Sequence, residues 1–106
     1  MINRSDTYDT LSGLVVALCL DYRRRQRLIE SGELSFRTAS ELRYLNIKLI
    51  AAANEIVGEE LSELFIREIG ERKGYATSAI TDMSEYNYKM KKRQVVDNII
   101  KKLHLG

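Results

Sequence analysis

The chain has 106 residues, a formal net charge of +2, no proline, six glycines and one cysteine. This length suits one domain that can bury a core without disulfides or a structural metal. Alanine, leucine, glutamate, lysine and arginine are abundant, which favours long helices over a turn-rich sheet. The sequence therefore predicts an all-α fold: a compact bundle of four main helices forming one domain over residues 1–106. A short fifth helix between the third and fourth is the alternative.

The compartment is predicted from what the chain does not contain. Cys19 has no second cysteine with which to form an internal disulfide, which indicates a reducing environment. No stretch approaches the roughly 18 apolar residues that a membrane span needs. The chain also does not open with the basic and then apolar pattern of a secretion signal. These features predict a cytoplasmic protein that does not bind membranes.

The first predicted helix follows a short lead, Met1–Asp6, in which Ser5 or Asp6 can cap the helix start. The helix runs to about Ser31, and Gly32 ends it. Its apolar residues recur at helical spacing and form one main face and a second, narrower strip. The main face consists of Leu11, Leu14, Val15, Leu18, Tyr22 and Ile29, and the strip of Val16, Ala17 and Leu20.

The second predicted helix, between Ser35 and Gly58, is apolar on more than one side and is therefore placed at the centre of the bundle. Ser35 can cap its first turn, and Gly58 can close it in a left-handed conformation. Asn46 and Asn54 beside its apolar stripes are interpreted as amides that hydrogen-bond to a neighbouring helix. The main stripe is Leu42, Leu45, Leu49, Ala52, Ala53 and Ile56, while Phe36, Tyr44, Ile47 and Ala51 lie well away from it and require covering on another flank.

Two further helices complete the predicted bundle. Glu59 and Glu60 open the third, where acidic side chains suit the positive end of the helix dipole. It closes at Gly70 or at Gly74, and the Lys and Arg near its end favour the longer version. Residues 75–83 are consistent with one or two helical turns or with a loop. Ser84 caps the fourth helix, which extends to about residue 103. The inward seam of this helix is Tyr88, Val95, Val96, Ile99, Ile100 and Leu103.

The sequence offers little for catalysis. Its one histidine, His104, lies near the chain end, and Cys19 lies in an apolar run where a thiol is usually a small buried hydrophobe. The acidic residues Glu59, Glu60 and Glu63 fit solvated charges of a first helical turn better than a metal site. No glycine-rich phosphate loop is present. We therefore predict that the protein is not an enzyme, uses no cofactor or metal and has no small-molecule substrate.

Charge is distributed unevenly along the chain. Residues 1–27 carry five basic and three acidic groups, residues 28–71 carry four and nine, and residues 72–106 carry eight and three. Such asymmetry indicates a nucleic-acid surface, attraction between the helices of the bundle, or attraction between two copies. The basic groups form two clusters, defined here as the first cluster, Arg23, Arg24 and Arg27, and the second cluster, Lys89, Lys91, Lys92 and Arg93, with Tyr86 and Tyr88 beside it.

The second cluster can be compared with a helix-turn-helix motif. Residues 74–83 correspond to the first helix, Ser84 to a cap, and YNYKMKKRQVVDNIIKKL to a recognition helix. The connection between Met83 and Ser84 is too short for the usual turn, so the sequence identifies no family. In this interpretation Lys89, Lys92 and Arg93 contact phosphates or base edges, and Tyr86 and Tyr88 contact the backbone or stack on bases.

Two functional hypotheses follow. The first is a nucleic-acid-binding regulatory or accessory protein, for example in transcription regulation, that uses Arg23, Arg24, Arg27, Tyr86, Lys89, Lys92 and Arg93. The second is a protein-interaction module or homodimer without a nucleic-acid role, based on apolar residues on two sides of the first two helices. In the alternative interpretation of both clusters, they are ordinary solvated helix faces.

Overall fold

The computed structural model describes the backbone of residues 4–105 and the side chains of residues 10–105. Within this part of the chain the secondary structure is entirely helical, which confirms the predicted all-α bundle. A single 3₁₀ turn, Tyr75–Thr77, separates the last two α-helices. The α-helices are α1 (Arg4–Leu20), α2 (Tyr22–Ser31), α3 (Phe36–Val57), α4 (Glu59–Gly70) and α5 (Glu85–Lys102).

The first predicted helix is in fact two helices, because the chain breaks at Asp21 between α1 and α2. The carbonyls of a last helical turn have no partner inside their own helix. Here the Leu18 carbonyl accepts a hydrogen bond from Arg25 Nη2 at 2.6 Å. The predicted lead with a cap at Ser5 or Asp6 is also wrong, because α1 is already helical from Arg4. Residues 1–3 lie outside the described chain.

Helix α3 occupies the centre of the bundle, as predicted. It packs against α2, α4 and α5, and Leu49, Ala52 and Ala53 are fully buried. The Ser35 hydroxyl accepts the Thr38 N–H at 3.2 Å, and Gly58 follows the last turn with a φ of 86°. The two alanines at the buried face let neighbouring helices approach closely. The sequence therefore predicted both the position of α3 and its two ends.

The core lies between α3, α4, α5 and the C-terminal half of α1. Among residues 10–20 of α1, Val15 and Cys19 are buried, whereas Leu14, predicted on the inner face, is 45% exposed. Within residues 4–105, no helix is both long and apolar enough to cross a bilayer. The buried apolar residues are Val15, Cys19, Leu49, Ala52, Ala53, Phe65, Ile66, Ile69, Ile80, Tyr88, Val95, Val96 and Ile99.

Gly70 allows α1 and α4 to touch through their backbones. A Cβ atom added at Gly70 would lie 2.5 Å from Leu20 N and 2.7 Å from Leu20 Cα, which is closer than side-chain carbons come to backbone atoms. These contacts are backbone atoms, so no rotamer change can relieve them. The close packing at the end of α4 therefore requires glycine at position 70, although the backbone conformation at that position is one that other residues adopt.

We expect Gly70→Ala to destabilise the protein by about 1–3 kcal/mol, since overpacking against backbone outweighs the gain in helix propensity. Chemical unfolding of both proteins measures the difference. Gly74→Ala is the matched control, because nothing lies within 4 Å of a Cβ at that position. A Gly70→Ala protein as stable as the parent would show that α1 and α4 do not approach as described.

Helix α4 ends at Gly70, the shorter of the two predicted versions. The Lys73 N–H donates to the Glu68 carbonyl at 3.0 Å and the Arg72 N–H to the Ile69 carbonyl at 3.2 Å. This is the Schellman pattern, in which the residue after the cap adopts a left-handed conformation. Arg72 takes that position with a φ of 55°, where glycine is usual. The turn directs the chain away from α4 before Gly74, so residues 74–84 form a loop with one 3₁₀ turn instead of a fifth α-helix.

Glu68 fixes this loop to the bundle. Its carboxylate accepts the Ser78 hydroxyl at 2.6 Å, the Ala79 N–H at 2.8 Å and the Tyr88 hydroxyl at 2.8 Å. Glu68 is 1% exposed, and its position three residues from Phe65 places it within the apolar face of α4. Burial alone raises the pKa of a carboxyl group, but these three hydrogen bonds hold the pKa of Glu68 below its ordinary value. One side chain thus joins α4, the loop and α5.

Helix α5 begins and ends as predicted. The Ser84 hydroxyl accepts the Asn87 N–H at 3.2 Å, and the inner face of the helix buries Tyr88, Val95 and Ile99. Burial, followed by the hydrogen bond to Glu68, raises the pKa of Tyr88 to about 12. The first half of α5 is therefore part of the core. The main apolar seam starts at Val95, and the sequence therefore predicts that the basic end of this helix extends beyond the packed core; the burial of Tyr88 shows that this prediction is wrong.

We expect Glu68→Gln to destabilise the protein by about 1–3 kcal/mol at pH 7. The glutamine amide replaces one acceptor oxygen with an NH₂ group, which cannot accept a hydrogen bond from the donors of Ser78, Ala79 or Tyr88. The pKa of Glu68 is lower in the folded state than in the unfolded state. Its stabilisation is therefore fully present above the unfolded value of about 4.3 and is lost as pH falls through the folded value.

Urea unfolding at pH 7 and at several pH values below 5, at one protein concentration, tests this prediction. The difference in the free energy of unfolding between the parent protein and Glu68→Gln should become smaller as the pH is lowered. Glu63→Gln, an exposed change on the same helix, is the control and should have little effect at any pH. A gap that stays constant to pH 3 would contradict the role assigned to the Glu68 carboxylate.

Candidate functional site

The first basic cluster lies on α2. Arg24 is paired with Asp21, whose Oδ2 accepts from Arg24 Nη2 at 2.8 Å. This hydrogen bond, the largest of several causes, lowers the pKa of Asp21. Arg23 and Arg27 are exposed and line a groove with Glu63 of α4. The structure therefore brings Arg23 and Arg27 together at one groove, while Arg24 is held by its neighbour in sequence.

Arg25 is a buried arginine that sequence reasoning missed. Its Nε donates to Asn46 Oδ1 at 2.7 Å, and the Asn46 amide donates to the Tyr22 carbonyl at 3.2 Å and to Gln26 Oε1 at 3.1 Å. Burial lowers the pKa of Arg25, while Asp21 opposes this. The sequence contains a signal for the burial of Arg25, because Arg25 lies on the same side of α2 as the apolar residues Tyr22 and Ile29. The prediction that Asn46 hydrogen-bonds to another helix is confirmed, whereas Asn54 is exposed.

The second basic cluster lies on the first half of α5. Tyr86 is 75% exposed, and Arg93 is also exposed. Lys89 forms an ion pair with Glu85 one turn earlier, with an Nζ–Oε1 distance of 3.0 Å. Tyr88 points into the core and is not part of the surface. An exposed ion pair within one helix contributes little to stability and can be exchanged for another partner.

Lys92 has a structural role. Its ammonium donates to the Lys73 carbonyl and lies 5.8 Å from the centroid of the Tyr88 ring. Burial lowers the pKa of Lys92, and the nearby Glu68 carboxylate opposes that effect. In the sequence, Lys92 lies within the angular range of the apolar seam, which predicts that this turn is exposed to solvent. Instead, the side chain is half-buried and closes the end of α4.

The two clusters have different neighbours. The groove beside Arg23 and Arg27 is formed with α4 and contains no residue of the second cluster. Lys92 is held by the segment that follows α4. The helix-turn-helix comparison is wrong for its first helix, because residues 74–83 contain a single 3₁₀ turn. Nucleic-acid binding by the exposed members of either cluster stays a prediction.

The residues considered for thiol or metal chemistry lie apart. Cys19 is 3% exposed, and burial raises the pKa of its thiol to about 12, so it remains protonated at neutral pH. His104 is exposed and takes the left-handed position after α5, with a φ of 55°. Within residues 10–105, no group of three or more histidine, cysteine or acidic side chains converges in a way that could hold a metal ion.

The largest exposed apolar side chains of α3 lie on one face, defined here as the outer face. Phe36 is 86% exposed, Tyr44 59% and Ile47 58%. With Ser40 and Ala51 they recur every three or four residues and form a stripe along the helix, opposite Leu49, Ala52 and Ala53. Lys48 Nζ lies 5.3 Å from the Tyr44 ring centroid at the edge of this stripe. The sequence predicts that the apolar members of this stripe are covered on another flank. Ile47 and Ala51 border a groove against α2, but no helix within residues 4–105 buries Phe36, Tyr44 or Ile47.

Comparisons of the chain with protein-family models, with curated proteins and with solved structures found no match.

Proposed function

We propose that the protein is a non-enzymatic protein-interaction module of the cytoplasm that works as a symmetric homodimer, joined through the outer face of α3. The observation that carries this proposal is the exposure of Phe36, Tyr44 and Ile47 on one helix face. Large contiguous apolar surface is uncommon on a monomer and marks interaction sites. Cys19, which has no second cysteine to pair with, supports the reducing compartment.

The outer face is complementary to a second copy of itself. Two α3 helices packed antiparallel with a two-fold axis near Tyr44 place Tyr44 against Tyr44 of the second copy. The same register places Phe36 against Ala51 and Ile47 against Ser40, because each of these pairs is symmetric about the middle of the stripe. Large side chains thus meet small ones on both sides of the axis, which is the condition for a close-packed isologous interface.

Charge supports the same register. Glu41 and Lys48 lie on the same edge of the stripe, and the two-fold axis brings Glu41 of one copy near Lys48 of the other, twice. In the monomer Glu41 contacts Arg37 at 3.4 Å, where both side chains are largely exposed. An exposed pair of this kind contributes little, so Glu41 can turn to a second partner. Opposite charges at the edge fix register and orientation more than affinity.

The contact is short. From Phe36 to Ala51 the stripe extends roughly 23 Å at 1.5 Å per residue. One helix face of this length is smaller than a standard interface of about 800 Å² per partner. We therefore expect a dimer that dissociates in the micromolar range, with exchange between monomer and dimer.

Substitution of Ile47 tests the interface. We expect Ile47→Asp to abolish dimerisation without loss of helicity, because the side chain is exposed in the monomer but lies beside the proposed axis. Sedimentation equilibrium over a concentration series measures the association constant. Tyr86→Asp, an exposed apolar-to-acidic change on α5, is the matched control and should leave association unchanged. A parent protein that is monomeric at millimolar concentration would overturn the homodimer and leave a different protein as the occupant of this face.

Engineered cysteines test the register, since Cys19 is buried and does not compete. In the antiparallel arrangement, Tyr44→Cys places two thiols at the axis, within the short Cβ separation that a disulfide requires. Asn54→Cys is exposed on the same face, but the two copies of position 54 are roughly 30 Å apart along the helix. Under mild oxidation, Tyr44→Cys should form covalent dimers and Asn54→Cys should not. Covalent dimers of both variants would indicate a parallel pair, and covalent dimers of Asn54→Cys alone would move the two-fold axis towards residue 54; either result would overturn the register.

Nucleic-acid binding is the second candidate function, favoured by the exposure of Arg23, Arg27 and Tyr86. A protein that neutralises several phosphates loses affinity steeply as salt rises. We expect Arg23→Gln and Arg27→Gln together to reduce both the affinity for a generic DNA duplex and the salt dependence of binding. Fluorescence anisotropy at about 50 and 200 mM salt measures both. Absence of binding at the lower salt would exclude this candidate.

A further inference from the structure

A groove with three arginines runs between α2 and the end of α4. It has two adjoining parts that share Tyr22, Arg23 and Glu63. The wider part, about 260 Å³ in volume, also contains Gln26 and Arg27. The narrower part, about 40 Å³, continues towards α1 and is lined further by Cys19, Leu20, Arg67 and Glu71.

Arg67, like Arg25, was not identified as a candidate from the sequence. Its Nε is buried and has no hydrogen-bond partner among the atoms that the structure describes. Buried donors are nearly always satisfied, and a charged donor left without an acceptor is especially unfavourable. Arg67 also lines the narrower part of the groove, where a small rotation of its guanidinium group would turn this N–H towards an acceptor that enters.

The charges of the groove favour an anion. Neither Arg23 nor Arg27 forms an ion pair with a side chain in residues 10–105, and both are exposed. Glu71 is paired with Lys73 at 3.3 Å, which offsets its charge. Glu63 is the carboxylate that remains. Three guanidinium groups against one carboxylate leave the groove positive.

We propose that this groove binds a small phosphate monoester. Guanidinium groups match phosphate oxygens in a two-pronged geometry, and a phosphate in the narrower part can accept from the guanidinium groups of both Arg23 and Arg67. Leu20 and Cys19 provide an apolar wall for the ester carbon atoms. Glu63, which lines both parts, is placed to accept a hydrogen bond from a hydroxyl group of the ester. The site does not depend on dimerisation, since it lies on α2 and α4 and not on the outer face of α3.

Tyr22 completes the polar lining. Burial raises the pKa of Tyr22, and the negative charge of Glu63 raises it further, which agrees with the closeness of the two side chains. The phenol is therefore protonated at neutral pH and can donate to an anion. A dianionic monoester gains more from this set of donors than a phosphodiester, which carries a single charge.

Nuclear magnetic resonance titration with 2-glycerophosphate at pH 7.5 and constant ionic strength tests the site. We expect saturable shifts confined to backbone amides of residues 19–27 and 63–71 and to the Arg67 Nε–H. Dimethyl phosphate, a diester, should bind about tenfold or more weakly. Equal affinity for the diester would indicate a surface for nucleic-acid backbone and overturn the monoester proposal, as would the absence of shifts with 2-glycerophosphate.

Variants separate this groove from general attraction to a basic protein. Arg67→Gln should weaken 2-glycerophosphate binding at least about tenfold, the loss expected for one charge-assisted hydrogen bond. Arg37→Gln, the same change on α3 at a largely exposed position, is the control and should leave binding unchanged. If circular dichroism shows that Arg67→Gln does not fold, Arg23→Gln at an exposed position carries the test. A folded Arg67→Gln or Arg23→Gln protein that binds like the parent would overturn the site.

Discussion

The structure depends on one constraint: helix α3 has two apolar faces, and the other helices pack against only one of them. Leu49, Ala52 and Ala53 are fully buried because α2, α4 and α5 pack around that side of the helix. The opposite face has no helix left to cover it within residues 4–105, and Phe36, Tyr44 and Ile47 remain exposed. The same helix therefore organises the core and provides the surface on which the proposed interaction rests.

A second set of contacts is polar and concerns the segments between helices. The Glu68 carboxylate accepts hydrogen bonds from Ser78, Ala79 and Tyr88. The Arg25 guanidinium donates hydrogen bonds to Asn46 and to the Leu18 carbonyl. Each buried charge is compensated by several hydrogen bonds, as burial requires. These two groups position the start of α5 and the start of α2, and hence the two basic clusters. Arg67, in contrast, is left with a buried donor unsatisfied, and that difference marks its groove.

Sequence reasoning failed where a side chain acts at long range. The basic residues of α2 and α5 were grouped by proximity in sequence, yet Lys92 binds the Lys73 carbonyl, which lies 19 residues earlier. The pairs Arg24–Asp21 and Lys89–Glu85, in contrast, lie within one helical turn, and their spacing in the sequence already favours them. Arg25, Arg67 and Glu68 were passed over because a charged residue within an apolar pattern looks solvated until its partner is known. The partners of Arg25 and Glu68 lie on other helices or in the loop, and the groove beside Arg67 is formed with other helices, so periodicity along the chain does not encode them.

The sequence by itself determined the helical class, the central position of α3, the caps at Ser35 and Ser84 and the ends at Gly32 and Gly58. These features depend on periodicity and on the backbone preferences of single residues, both of which are local. Only the tertiary structure decided the break at Asp21, the end of α4 at Gly70 and the fold of residues 74–84. Each of these depends on contacts between different elements: Arg25 of α2 with Leu18 of α1, Gly70 of α4 with Leu20 of α1, and Glu68 of α4 with Ala79 of the loop. Local preference cannot determine them, because the free energy that selects them arises only after the helices have packed.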